Sequence, residues 1–82
     1  MVIRILGTGC AKCEELGRRA RAAAEALHVE AEFTKVTDLN EIVSYDVLLT
    51  PALVINDKVK ASGRLPNQAE IERWIAQESE AD

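Results

Sequence analysis

Cys10 and Cys13 are the two cysteines of the chain, and they stand together in the stretch GTGCAKC. Thiols at this spacing can cycle between dithiol and disulfide, grip a soft metal ion, or fill space. Their position narrows the choice. The run VIRIL (2–6) is β-rich and stops at Gly7, and good helix formers begin at about Ala11. Cys10 therefore stands where a strand gives way to a helix. The first-turn amides of a helix lack intrahelical partners and carry the positive end of the dipole. Both effects favour a thiolate, and such settings commonly bring a cysteine pKa from about 8.5 into the range ~3.5–7.5. Since the thiolate is the nucleophile of disulfide exchange, Cys10 is expected to attack. Cys13 lies one turn further in, on the apolar side, and suits the resolving role. Residues three apart on a helix have Cβ atoms roughly 5–6 Å apart, whereas a disulfide wants about 3.8 Å. The pair can close if Cys10 sits at the cap, outside regular helical angles.

The neighbours of the pair offer further roles. Lys12, between the cysteines, is a candidate for tuning the thiolate or steering acidic partners; an exposed helix-start lysine is the plain alternative. Thr8 and Gly9 can form a tight turn that exposes the Cys10 sulfur, and they too are candidates for tuning its pKa. Glu14 and Glu15 are read as first-turn acids that complement the dipole rather than as proton carriers for Cys13. Arg4 either raises the potential near the site or takes a solvent-facing edge position. His28 is too far along the helix to join the thiols.

The elements that must position this site follow from pattern. Cys13, Leu16, Ala20, Ala24 and Leu27 recur at three- and four-residue steps and form one stripe of a helix from about Ala11 to His28. Arg18, Arg19, Arg21 and Glu25 lie mostly off it; RRAR is read as a solvated helix face rather than a docking patch, and Gly17 suits close packing on a sheet. AEFTKV (31–36) is a second strand. Asp38 and Glu41 have capping-box spacing before a short helix, about Leu39 to Tyr45. ALVI is a strand, ND a tight turn and KVKA its hairpin partner. Asn67 and Glu70 repeat the capping-box spacing before a helix whose apolar face is Ile71, Trp74 and Ile75, with Trp74 read as core. The polar tail, 77–82, is expected to fray.

The order is βαβαββα. A long helix between the first two strands suits a right-handed βαβ crossover, and the hairpin adds an antiparallel pair. The expected class is therefore α/β: a mixed four-stranded sheet with helices on both faces. The 82 residues form one domain, 1–82, with a core of Val, Ile, Leu and Ala, because only Phe33, Tyr45 and Trp74 are aromatic. A net charge of −4 argues against nucleic acid as a partner. MVIRILGTG is too short an apolar run for an export signal, and no run approaches a membrane span, so a cytoplasmic protein with no membrane partner is expected. Reductants there disfavour structural disulfides and leave redox cycling or metal binding for the pair. Nothing in the sequence demands a dimer, and a monomer is expected.

GTGCAKC, TPALVINDKV, SGRLP and the closing helix together resemble the thioredoxin fold. More closely, they resemble the small thioredoxin-like or glutaredoxin-like redox-active disulfide proteins of archaea and bacteria, over essentially the whole chain. The resemblance implies that Pro51 is cis and lies against the cysteine pair. It also implies that Thr50 offers its backbone to an extended substrate segment, and that Gly63 allows a close backbone approach. The implied activity is thiol–disulfide exchange through a reversible Cys10–Cys13 disulfide with no cofactor. The implied partners are disulfide-bearing proteins and an electron donor such as a thioredoxin reductase or a small thiol. The chain departs from thioredoxins proper, which carry Trp before the first Cys, Gly-Pro between the two, and a buried acid on a strand behind the site. Here Gly9, Ala11 and Lys12 fill the first places and the first strand has no acid. Nor is there the aromatic residue that glutaredoxins hold inside the motif.

Two rival readings stand beside this one. Heavy-metal-associated domains also place C-x-x-C between a first strand and helix and bind Cu(I) or Zn(II), but in the order βαββαβ, which leaves no place for a proline-led strand after a second helix. With a single His, a closed zinc site within one chain is not expected. The third reading is an interaction domain on the same fold with incidental cysteines.

Overall fold

The structure is a computed structural model and describes residues 1–80. Seven elements follow in order: β1 (Val2–Leu6), α1 (Ala11–Ala26), β2 (Glu32–Val36), α2 (Leu39–Ser44), β3 (Ala52–Ile55), β4 (Lys58–Ser62) and α3 (Gln68–Glu80). The strands form one sheet in the order β2-β1-β3-β4. β1 runs parallel to β2 and antiparallel to β3, and β3 runs antiparallel to β4. This is the mixed α/β, thioredoxin-like architecture expected from the sequence.

Two cores share the sheet. On one face Ile3, Ile5, Leu53 and Ile55 pack with Leu16, Ala20, Ala23 and Ala24 of α1 and with Ile71 and Ile75 of α3. On the other, Leu6, Ala52 and Val54 pack with Val36, Ile42 of α2 and Val47. All four residues of β3 are buried, because alternate side chains enter opposite cores. That explains why ALVI reads as an unbroken apolar run rather than an alternating one. β1 is likewise central, so Arg4 does not occupy an edge. Its guanidinium reaches the hairpin turn and pairs with Asp57 at 2.6 Å, away from the cysteine end of the strand.

Local signals account for most boundaries. Asn56 and Asp57 both have positive φ, 50° and 66°, as a two-residue hairpin turn of the favoured twist requires. β4 carries one extra residue opposite the Leu53–Val54 step, a bulge. The Asn67–Glu70 box forms reciprocally, with Asn67 Oδ1 accepting from the Glu70 amide at 2.9 Å and Glu70 Oε1 from the Asn67 amide at 3.3 Å. At α2, Asp38 accepts instead from the Asn40 amide at 2.8 Å. α1 ends two residues before His28, which takes a left-handed φ of 56°. The His28 and Val29 amides then close on the Glu25 and Ala24 carbonyls, a Schellman arrangement.

Three expectations need correction. Gly17 is buried, yet a Cβ built there meets only the Arg21 guanidinium at 4.0 Å, so no close approach to the sheet depends on it. The RRAR stretch is not simply a solvated face. Arg19 donates to Glu15 and to the Pro66 carbonyl, tying α1 to the start of α3, and Arg21 covers the Phe33 ring. The tail from residue 77 is not separate from the last helix: α3 continues through Glu80, and Glu78 within it is buried and paired with Lys60 at 2.8 Å and Lys58 at 3.3 Å. Residues 81 and 82 lie outside the described residues.

Candidate active site

The site lies where the C-terminal end of β1 meets the N-terminus of α1. Cys10 is the N-cap of α1 in extended conformation, φ −72° and ψ 170°, outside helical angles as closure of the pair requires. Its carbonyl accepts the first helical bond, from the Glu14 amide. Cys10 is exposed and Cys13 is 5% exposed, and both thiols are free. Their Sγ atoms are 3.1 Å apart in an S–H···S contact. A disulfide bond of about 2.05 Å would need an approach of about 1 Å.

The surroundings push the two thiols in opposite directions. The Cys10 thiol is held below its ordinary value, first by the hydrogen bond from the Cys13 thiol, then by the backbone amides of Cys13 and Lys12. Burial raises the Cys13 thiol, and its hydrogen bond to Cys10 adds to that by keeping the proton on Cys13. Lys12 thus acts on Cys10 through its backbone amide, a feature of helix position rather than of lysine. Gly9 has φ +90°, a conformation suited to glycine, and its backbone partly offsets the rise of the Cys13 thiol. Thr8 is exposed and its hydroxyl makes no hydrogen bond among the described residues.

The sheet brings a second loop to the thiols. Pairing of Leu6 with Ala52, and of Ala52 with Ser62, sets Gly7, Pro51 and Gly63 in a row across the sheet end. The Thr50–Pro51 bond is cis, as the resemblance implied. Pro51 is buried, Thr50 is exposed, and the Gly63 amide donates to the Pro51 carbonyl at 2.9 Å. Gly63 has φ +78°, and a Cβ there would stand 2.8 Å from Leu49 Cβ. Glycine at this place lets the loop before Pro51 rest on the end of β4, where Ser62 Oγ also donates to the Leu49 carbonyl.

Two features went unread in the sequence. A Cβ on Gly7 would overlap Cys13 Sγ and stand 3.8 Å from Thr50 Cβ, so the bare backbone of Gly7 is the seat of the inner thiol. The only sequence signal was a glycine ending a strand three residues before Cys10. Leu48 and Leu49, immediately before Thr50, are 87% and 65% exposed and form an apolar rim beside the site. Their exposure was not legible, because the same leucines would serve equally well in a core.

The sulfur donors near Cys10 are the Cys10 and Cys13 thiols. His28 lies beyond the far end of α1, about 24 Å away for 16 residues at 1.5 Å each. Among the described residues no group of three or more His, Cys, Asp or Glu converges as a ligand set. No helix of the structure is long and apolar enough to cross a membrane.

Known proteins match this arrangement along most of its length. A family model described as the thioredoxin domain matches residues 1–76. A curated thioredoxin of Methanocaldococcus jannaschii is 42% identical over 75 residues, which cover 92% of this chain and 86% of the relative. A thioredoxin of Methanothermobacter thermautotrophicus is 36% identical over 76 residues, 93% of this chain and 99% of the relative.

Proposed function

Because the chain belongs to the thioredoxin-domain family, whose relatives point to thiol–disulfide exchange, we propose that Cys10 is its attacking nucleophile and Cys13 its resolving thiol. The observation that carries this reading is the asymmetry of the pair. An exposed thiol is stabilised as thiolate by a helix start, and a buried thiol 3.1 Å away keeps its proton.

The chemistry follows from that asymmetry. The Cys10 thiolate attacks one sulfur of a substrate disulfide along the S–S axis. A Cys10–substrate bond forms, the substrate S–S bond breaks, and the departing thiolate takes a proton from solvent. Cys13 then loses its proton and attacks Cys10 Sγ. The Cys10–Cys13 disulfide forms and the second substrate thiol leaves. Two electrons pass from the cysteine pair to the substrate, so the pair itself is the redox group and no further cofactor is required. A donor, either a reductase or a small thiol, returns the electrons by the reverse exchange.

The rim beside Cys10 fits an extended protein segment. Exposed Thr50 can pair its backbone with such a segment as an added strand, and Leu48 and Leu49 offer apolar contact on either side of a target cysteine. Protein disulfides are therefore the proposed substrates, with Thr50, Pro51 and Gly63 shaping the docking edge.

Turnover of a protein disulfide with dithiothreitol as donor tests the assignment. Cys10→Ser should abolish turnover. Cys13→Ser should accumulate a mixed disulfide through Cys10. Turnover that survives Cys10→Ser, or an inactive wild type that binds Cu(I) through both thiols, would reject it.

A further inference from the structure

The resolving step demands that a buried thiol give up its proton. Beside Cys13 lies a cavity of about 20 Å³ for the centre of a water molecule, room for one water. Ile5, Gly7 and Gly9 line it on the strand side, and Glu14, Lys35 and Thr37 on the other. Lys35 Nζ donates to both oxygens of Glu14, at 3.0 and 3.1 Å, joining β2 to the first turn of α1. Both side chains are about half exposed, 52% for Lys35 and 47% for Glu14. Glu14 thus borders both solvent and the cavity beside Cys13.

We propose that Glu14, positioned by Lys35, accepts the Cys13 proton across this cavity as Cys13 attacks the Cys10 mixed disulfide. The inference rests on the assignment of Cys13 as the resolving thiol. It reverses the reading of Glu14 as a first-turn acid rather than a proton carrier for Cys13; what the sequence could not show was Lys35 reaching it from another strand. The balance is simple. The S–H bond of Cys13 breaks, and its proton passes to Glu14 directly or through one water held in the cavity. The Cys13 electron pair forms the bond to Cys10 Sγ, and the Cys10–substrate bond breaks. The departing substrate thiolate is reprotonated, and Glu14 returns its proton to solvent on its open side. Lys35 is a positioning residue that keeps the carboxylate aimed. The ionisable groups lining the cavity are Cys13, Glu14 and Lys35; the other lining residues, Ile5, Gly7, Gly9 and Thr37, do not titrate there.

The two steps can be read separately with a neutral dipyridyl disulfide in stopped flow. Attack by Cys10 releases one chromophore and resolution by Cys13 releases the second. With Glu14 as acceptor, the second phase in wild type should be nearly flat from about pH 6 to 8; in Glu14→Gln it should slow about tenfold at neutral pH and rise about tenfold per pH unit, as hydroxide takes over. The first phase should stay unchanged. Lys35→Met, which keeps the carboxylate but frees it, should slow the second phase by a smaller factor. Glu15→Gln, whose carboxylate is held by Arg18 and Arg19, is the control for a general helix-start effect and should leave both phases as they are. A second phase in Glu14→Gln with the wild-type rate and pH slope overturns the inference. So does equal slowing in Glu15→Gln. Absence of the first phase in wild type would instead reject the assignment of Cys10. The half-exposed positions make folded variants the expectation, and a thermal melt of each verifies that.

Discussion

Cys10 and Cys13 carry the same side chain, and their surroundings make them chemically unlike. Cys10 faces helix amides and a donated thiol hydrogen bond; Cys13 faces a sheet and the backbone of Gly7. The first half of this contrast was legible, because a strand-to-helix junction can be read from VIRIL, Gly7 and the run of helix formers. The second half was not, since the distance from Gly7 to Cys13 depends on how α1 lies across the sheet end. Lys12 shows the same limit: its backbone amide, which any residue at that helix position would supply, favours the Cys10 thiolate. Gly7 gives the sharpest single-residue expectation. Gly7→Ala places a methyl where Cys13 Sγ sits, so the thiol or the strand end must shift. Denaturant unfolding should show a loss of about 1–3 kcal/mol, as overpacking in a tight core does. Resolution should slow more than attack, because the displaced group is Cys13. An unaltered midpoint with unaltered kinetics would mean that Gly7 is only a chain terminator.

At the scale of elements, the pattern of apolar residues placed all seven, because each segment's periodicity agrees with its final surroundings. The boundaries moved by one or two residues where caps decide them, as at His28, whose left-handed φ ends α1. Identical capping-box spacing at Asp38–Glu41 and Asn67–Glu70 gave a half box and a full one, so spacing permits the motif without enforcing it. Gly17 is the element-scale test. Its position in the middle of α1 costs helix stability, and no neighbour depends on the missing methyl. Gly17→Ala should therefore stabilise the protein by about 0.5–1 kcal/mol, seen as a higher melting temperature, with turnover unchanged. A destabilised Gly17→Ala would show that α1 needs an approach closer than the Cβ distances indicate.

Across the whole molecule, the chemistry is gathered at one end of the sheet, and α3 is secured by charge at its C-terminal end. Lys60 and then Lys58 hold the Glu78 carboxyl below the usual carboxylate range by hydrogen bonding and charge, against the opposing effect of burial. This anchor was illegible because a polar tail gives no hint of lysines arriving from β4. Its sign is fixed by linkage. The folded pKa is depressed, so the contribution is present above the unfolded carboxyl value, about 4.3, and is lost as pH falls through the lower folded value. Glu78→Gln should lower the urea midpoint at neutral pH and flatten its decline over that acid range relative to wild type. Equal acid dependence in both proteins would assign the pairing no part in stability.

The division of labour between the thiols is tested most directly by alkylating the reduced protein across pH and following each cysteine by peptide mass spectrometry. Cys10 should react first, with a midpoint below the free-cysteine value of about 8.5, and Cys13 should stay protected until higher pH. Substituting Cys13→Ala should raise the Cys10 midpoint, because the largest stabiliser of its thiolate is removed. Faster labelling of Cys13, or a Cys10 midpoint no lower than that of a free cysteine, would contradict the assignment of attacker and resolver.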